Sequence, residues 1–207
     1  MLKLLLSILA LLCVQTLIAQ QQIRVELSKI ENEGKLIEVH VLQAQNKYES
    51  SVDLLNNLTK ENTTISVFHY ELAKAFETLE EKDKAMSAIE KALDLSEEPW
   101  YLNYAAYLYN KYEEIDKELE TLLRLSQLEP SQIRHYLKAA GCYVLTGKID
   151  AAIKHLDNFQ IHNGTSVNIV QEKFLIYKSA EEWEKAYEML LEWTQIAPSS
   201  LAAWESL

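Results

Sequence analysis

The sequence predicts an all-α fold in which antiparallel helix pairs stack into a solenoid. Along Ser66–Leu95, apolar and small residues recur at i, i+3, i+4 and i+7 in two successive segments. Small residues also recur at a fixed period, because Ala85 lies 34 residues after Ser51 and Ala186 lies 34 after Ala152. The 207 residues include 4 Gly and 3 Pro, too few for a loop-rich β fold.

Two amphipathic helices are predicted in this stretch, over about Val67–Leu79 and Asp83–Leu95. Neither helix can bury its apolar face alone, so the pair needs neighbouring pairs. The residues that share these faces are His69, Leu72, Ala73 and Phe76 on the first helix, and Ala85, Ile89 and Ala92 on the second.

The order of these residues (bulky, Leu, small, aromatic, Ala, bulky, Ala) resembles the 34-residue tetratricopeptide repeat. The usual Trp and Gly are missing, and the Pro is displaced to Pro99. The resemblance covers about Asn32–Leu207. It implies a right-handed α-solenoid of about five repeats and the start of a sixth, in which the first helix of each repeat lines a concave wall.

The repeat register divides the chain into successive copies. Glu118 stands where the third copy should have a small residue, which predicts a one-residue shift in register there. The last copy begins an apolar helix without a polar closing helix, so we expect the sequence to be the N-terminal piece of a longer protein. The predicted copies span residues 32–65, 66–98, 99–131, 132–166 and 167–198, with the start of a further repeat at 199–207.

The N-terminus has the pattern of a secretory signal peptide over residues 1–19. One early cation precedes an apolar run from Leu4 to Ile18, and Ala19 precedes a switch to polar residues. Cleavage after Ala19 would send the protein to the periplasm or outside the cell; a retained N-terminal membrane anchor is the alternative. Residues 20–31 are then a linker or a lead-in helix.

The charge balance disfavours nucleic acid as a partner. The chain has 31 Asp and Glu against 20 Lys and Arg, a formal net charge of −11, which phosphate backbones repel. For the same reason, and once the leader is removed, we expect no direct membrane insertion. The acidic cluster of Glu113, Glu114, Asp116, Glu118 and Glu120 is interpreted as a solvated helix face rather than as a cation site.

No pattern of catalytic or cofactor-binding residues is present. The glycines are too scattered for a phosphate-binding loop, the five histidines lack paired metal-ligand spacing, and Cys142 is expected to be a small buried apolar residue. We therefore expect no enzymatic activity, no cofactor and no metal.

The resemblance instead implies a binding groove for a protein or peptide partner. The family's groove positions combine aromatic rings, side-chain amides and cations, which suit an extended peptide. In this sequence those positions are Tyr70, Lys74, Trp100, Asn103, Tyr107, Asn110, Arg134, Leu137, Gln171 and Lys178. The function that this implies is a non-enzymatic, exported protein–protein interaction scaffold, like exported tetratricopeptide proteins of Gram-negative bacteria.

Two other functions fit the sequence. The chain could be the extracytoplasmic sensory or docking region of a larger enzyme or signalling receptor that continues beyond Leu207. Self-association through the uncapped C-terminal end is a further interpretation, because an exposed apolar face at the end of a solenoid needs a cover.

Overall fold

The computed structural model describes residues 20–21 and 28–206, and these are α-helices joined by short turns, as the sequence predicts. The predicted leader, and Leu207, lie outside the described residues. In the pairs below, odd-numbered helices are called first helices and even-numbered ones second helices. The helices are α1 (28–44), α2 (Tyr48–Glu61), α3 (Ser66–Thr78), α4 (Lys82–Leu95), α5 (Pro99–Lys111), α6 (Ile115–Leu128), α7 (Ile133–Leu145), α8 (Ile149–Asn163), α9 (Val167–Ser179), α10 (Trp183–Ile196) and the short α11 (Leu201–Glu205).

The chain forms two compact units, one ending at Glu81 and one beginning at Lys82. In the first unit, α2 packs against α3. In the second unit each helix from α4 to α11 packs against the next one, and the first helices α7 and α9 also touch.

On α3 the predicted buried face is correct in part. Leu72, Ala73 and Phe76 are buried as predicted, whereas His69 is half-buried and Phe68, which was not assigned to that face, is fully buried. In the second unit, one cluster joins α7, α8 and α9, and another joins α9, α10 and α11. Their principal members are Tyr136, Ala140, Ala152, Leu156 and Phe159 in the former, and Val170, Phe174, Ala186, Leu190 and Trp193 in the latter.

Each of the first helices from α1 to α9 is followed, two positions after its last residue, by a residue in the left-handed region of the backbone, with φ between 57° and 72°. At the end of α5, for example, Glu113 N–H donates to the Asn110 carbonyl (3.2 Å) and Glu114 N–H donates to the Tyr109 carbonyl (2.9 Å). This pair of bonds is a Schellman motif, which satisfies the last carbonyls of a helix and stops it. The five residues are Asn46, Glu80, Glu113, Gly147 and Glu181.

The same turn fixes the register of each second helix. In all five pairs, the residue five positions after the left-handed residue is buried. The interval from Glu80 to Glu113 is one residue shorter than the others, which confirms the predicted shift at the third copy. The buried residues are Ser51, Ala85, Glu118, Ala152 and Ala186.

Replacing Glu113 by glycine should stabilise the protein. Glu113 has a φ of 61°, which a Cβ disfavours and glycine adopts freely. We expect Glu113→Gly to raise the free energy of unfolding by about 0.5–1 kcal/mol in urea titrations. Gly147→Ala, which imposes a Cβ at φ 72°, should lower the free energy of unfolding by a similar amount. An unfavourable effect of Glu113→Gly would show that the turn does not hold this conformation.

Candidate functional site

The aromatic helix α5 presents two large rings to solvent. Pro99 starts the helix, where its missing N–H is tolerated, and Tyr101 and Tyr109 face inward with Leu102. A helix has one inward stripe, so the remaining rings must lie elsewhere. Trp100 is 45 % exposed and Tyr107 is 46 % exposed.

Asn103 lies between these rings and joins α5 to α7. Its Nδ2 donates to the carbonyl of Pro99 (2.7 Å), and its Oδ1 accepts a bond from the guanidinium of Arg134 on α7 (3.3 Å). Arg134 itself is exposed. We call Trp100, Asn103, Tyr107 and Arg134 the α5–α7 patch; of the ten predicted groove residues, Asn103 and Arg134 are brought into direct hydrogen-bond contact.

Asn110, at the end of α5, is engaged with a buried carboxylate. Its Nδ2 donates to Oε2 of Glu118 (3.1 Å), and Glu118 is 4 % exposed. The interpretation of the acidic cluster as a solvated face is therefore wrong for Glu118, which fills the small-residue position of α6. The reason is that Asn110 supplies the hydrogen bond that a buried carboxylate requires.

Three other predicted groove residues of the second unit lie on the first helices α7 and α9. Leu137 is half-buried and packs against the cluster that joins α7 to α8. Gln171 is half-buried on α9, and Lys178 is exposed with its Nζ 5.5 Å from the centroid of the Phe174 ring. Their role as groove residues stays a prediction.

In the first unit, Lys74 pairs with a buried carboxylate that sequence reasoning missed, and its ammonium also lies over the Tyr70 ring. The Lys74 Nζ lies 3.1 Å from both oxygens of Glu71 and 5.3 Å from the centroid of the Tyr70 ring. From α1, Gln43 donates to Glu71 (3.5 Å) and His40 Nε2 lies 3.4 Å from it. Glu71 is 4 % exposed, so the Lys74 ammonium and the Gln43 amide hold its charge.

A buried cation fixes the contact between α8 and α9. Lys173 stands where the repeat pattern has Leu and is 7 % exposed. Its ammonium donates to Asp157 and Gln160 on α8. The sequence shows that Lys173 departs from the repeat pattern, but it does not show that Asp157 and Gln160 are the partners of Lys173.

The thiol of Cys142 is buried, as the sequence predicts. Burial, and after it the neighbouring carboxylate of Glu118, raise the pKa of Cys142 to about 12. Burial also raises the pKa of Tyr109 to about 12, with a further contribution from the charge of Glu90. A thiol that holds its proton this firmly is a poor nucleophile.

Residues 20–21 and 28–206 contain no group of three His, Cys, Asp or Glu side chains placed to hold a metal ion. Across the same residues, no helix combines the length and apolar character that a membrane span requires. The α5–α7 patch offers hydrogen-bond donors and aromatic surface.

Known structures of tetratricopeptide proteins share this fold. The YrrB protein, described as a tetratricopeptide protein with an unusual peptide-binding site, aligns with a TM-score of 0.59 at 19 % identity, over 81 % of this chain and 87 % of its own. A tetratricopeptide repeat protein of Parabacteroides merdae aligns with a TM-score of 0.63 at 15 % identity, over 84 % and 69 %.

The complex of Naa15 and Naa10 bound to HypK contains a chain that aligns with a TM-score of 0.67 at 19 % identity. The alignment covers 81 % of this chain and 26 % of that one. No protein-family model and no curated protein sequence matches this chain. The likeness is therefore one of fold: this chain is an α-solenoid with the tetratricopeptide-repeat fold.

Removing Asp157 should destabilise the protein more than removing its partner Lys173. Asp157→Ala leaves an ammonium buried without its counter-charge, and we expect a loss of about 1–3 kcal/mol in the free energy of unfolding. Lys173→Met removes the charge and keeps the volume, so we expect a change within about 1 kcal/mol. Urea titrations of both variants and the double variant check this; a neutral Asp157→Ala would contradict it.

Stability should fall in alkaline solution. The unfolded chain releases the protons of Cys142 and Tyr109 near their ordinary pKa values of 9.0 and 10.0, whereas the folded chain keeps both up to about 12. The folded state binds more protons in this range, so the free energy of unfolding decreases as the pH rises from about 9 to about 12. Cys142→Ala and Tyr109→Phe should each make the decrease shallower in urea titrations at several pH values; an unchanged slope in both would contradict the assignment.

Proposed function

We propose that this chain is an exported, non-enzymatic scaffold that binds a protein or peptide partner along the first helices of its repeats. The observation that carries the proposal is the α5–α7 patch, where two half-exposed aromatic rings flank an asparagine that bonds to an exposed arginine. Trp, Tyr and Arg are the residues enriched in binding hot spots, and this patch brings all three types together.

The chemistry of the patch suits an extended peptide. The Asn103 amide can exchange its bond to Arg134 for bonds to a peptide backbone, because an amide both donates and accepts. Arg134 can then pair with a carboxylate of the partner in a two-pronged geometry. Trp100 and Tyr107 supply flat apolar surfaces for side chains on either side.

The related folds support an interaction role. YrrB is described with a peptide-binding site, and the Naa15 and Naa10 complex is described bound to HypK. By analogy of fold, which is a weaker argument than the patch itself, this chain would also bind peptides or proteins. Tyr70 and Lys74, in the first unit, are proposed as partner-binding residues of that unit by itself.

Triple substitution of the patch should weaken partner binding strongly. In affinity capture from a native envelope extract, with the whole chain as bait, we expect Asn103→Ala, Tyr107→Ala and Arg134→Ala together to lower partner recovery at least about tenfold. These side chains are half-buried or exposed, so the helical content by circular dichroism should not change.

The matched control removes an amide, a large apolar group and a cation from second helices. Gln127→Ala, Leu128→Ala and Lys154→Ala affect exposed side chains of α6 and α8 and should leave recovery unchanged. Equal recovery with both triple variants would contradict the proposed site, and binding lost only with the control would place the partner on the second helices.

Export rests on the N-terminal pattern and has its own test. The protein recovered from the extracytoplasmic fraction of its native cells should begin at Gln20 when its N-terminus is sequenced, because cleavage is expected after Ala19. A chain that still begins at Met1 and stays in the cytoplasmic fraction would contradict export and would leave the scaffold role to be tested on its own.

A further inference from the structure

Gly141, in the middle of α7, stands at a position where the fold does not require a glycine. It lies inside a helix, where glycine is less favourable than alanine. Apart from its chain neighbours and its own helix backbone, a Cβ atom added at Gly141 would meet no described atom within 4 Å. Close packing between helices therefore does not explain this glycine. A glycine also allows a ligand to approach the backbone closely.

The repeat register places Gly141 in the same wall as the α5–α7 patch. Gly147 follows Glu113 by 34 positions, so Gly141 on α7 corresponds to Tyr107 on α5. The Tyr107 ring is half-exposed although α7 and α9 both follow α5, so this exposure does not result from a missing neighbour. Where α5 presents an aromatic ring, α7 presents half-buried backbone.

Apolar side chains surround this stretch of backbone on α7. Leu137 lies one turn before Gly141, and Val144 and Leu145 lie one turn after it, on the same side of the helix. Leu137 and Val144 are half-buried against the cluster of α7, α8 and α9, and Leu145 is exposed. The result is an apolar depression whose floor is the Gly141 backbone. We call Leu137, Gly141, Val144 and Leu145 the α7 slot.

Basic residues are concentrated on the first helices of the second unit, although the chain is acidic overall. Helices α5, α7 and α9 contain five Lys and Arg residues and one Glu, whereas α4, α6, α8 and α10 contain seven Lys and Arg and eleven Asp and Glu. One of the five, Lys173, is buried and bonds to α8. The other four are exposed; they are Lys111, Arg134, Lys138 and Lys178.

The exposed cations of the first helices differ in their contacts from a cation on a second helix. On α6, Lys117 pairs with the carboxylate of Glu90 on α4 (2.7 Å). Arg134 on α7 instead accepts no carboxylate from this chain in its printed contact, because its guanidinium donates to the neutral amide of Asn103. A positive wall on an acidic protein is complementary to an acidic segment of a partner.

We propose that the α7 slot receives one large apolar side chain of the partner, and that this side chain belongs to an extended acidic segment. The inference rests on the proposed function, because it concerns the partner of the α5–α7 patch. The apolar side chain lies over the Gly141 backbone beside Tyr107, where it loses its contact with water. Arg134 and Lys138, two turns and one turn before Gly141, pair with carboxylates next to it in the segment.

Synthetic peptides of defined composition test this pairing. The probes are three fluorescent decapeptides, one of Ser and Asp with a central Phe, one of Ser and Asp with a central Ala, and one of Ser and Lys with a central Phe. In anisotropy titrations with the whole chain, we expect the Phe–Asp peptide to bind at least about tenfold more tightly than either of the others.

Three results of these titrations would overturn the proposal. Equal binding of the Phe–Asp and Ala–Asp peptides would exclude the slot, and tighter binding of the Phe–Lys peptide would exclude an acidic partner. Tighter binding of an oligothymidine probe than of the Phe–Asp peptide would show that the positive wall takes nucleic acid.

A substitution that fills the slot tests the role of Gly141. Gly141→Leu should remove the preference for the Phe–Asp peptide over the Ala–Asp peptide, because the new side chain occupies the open space. The urea midpoint should rise, since leucine favours a helix more than glycine does, so the loss of preference cannot come from unfolding. Gly34→Leu, at another helical glycine with open space, on α1, should keep the preference. Equal loss in both variants would overturn the proposal.

A charge variant tests the acidic character of the segment. Lys138→Gln should weaken the Phe–Asp peptide severalfold and make its binding less sensitive to salt. Lys154→Gln removes the same charge from an exposed position on α8 and should leave binding unchanged. Equal weakening by the two variants would mean general attraction of an acidic peptide and would overturn this part of the proposal.

Capture of the native partner separates the slot from the proposed function. We expect Gly141→Leu to lower recovery of the same protein that the Asn103→Ala, Tyr107→Ala, Arg134→Ala variant loses. Recovery that is lost with the triple variant and unchanged with Gly141→Leu would overturn the slot and leave the proposed function standing. Recovery that is unchanged with both variants would contradict the proposed function, and the slot with it.

Discussion

The left-handed residue that follows each first helix from α1 to α9 is the constraint on which the rest of the structure depends. It closes the Schellman bonds of one helix and, five residues later, places a buried side chain of the next. Because this interval is the same in all five pairs, the faces that pack are set by the turn as well as by hydrophobicity. Only Gly147 meets the backbone requirement without a Cβ penalty; Glu80, Glu113 and Glu181 adopt it against their preference.

Buried charges add a second level of specificity to this scaffold. Glu118 takes the place of a small residue and bonds to Asn110, while Lys173 takes the place of Leu and bonds across to α8. A buried carboxylate or ammonium that loses its partner is costly, whereas one apolar contact can replace another. These departures from the repeat pattern therefore tie α5 to α6 and α8 to α9 through particular partners.

Sequence periodicity predicted the helices and most of the buried face because packing in a repeat fold is local. The one-residue shift of the repeat register at Glu118 could also be predicted, because the other repeats have Ser or Ala at this position and the third has Glu. The partners of Glu71 and Lys173 could not be read, because they depend on which side chains of a neighbouring helix come within hydrogen-bond reach. The hydrogen bond between Asn103 and Arg134 could not be predicted from the sequence for the same reason, although both residues were predicted for the site.

The central claim is that a partner contacts the first helices, and site-specific photo-crosslinking in native cells tests it most directly. A photoreactive phenylalanine analogue in place of Tyr107, which is 46 % exposed on α5, should form a covalent adduct with another protein. The same analogue in place of Lys154, exposed on the second helix α8, should form none. An adduct at Lys154 without one at Tyr107 would contradict the account, because the partner would then lie on the second helices.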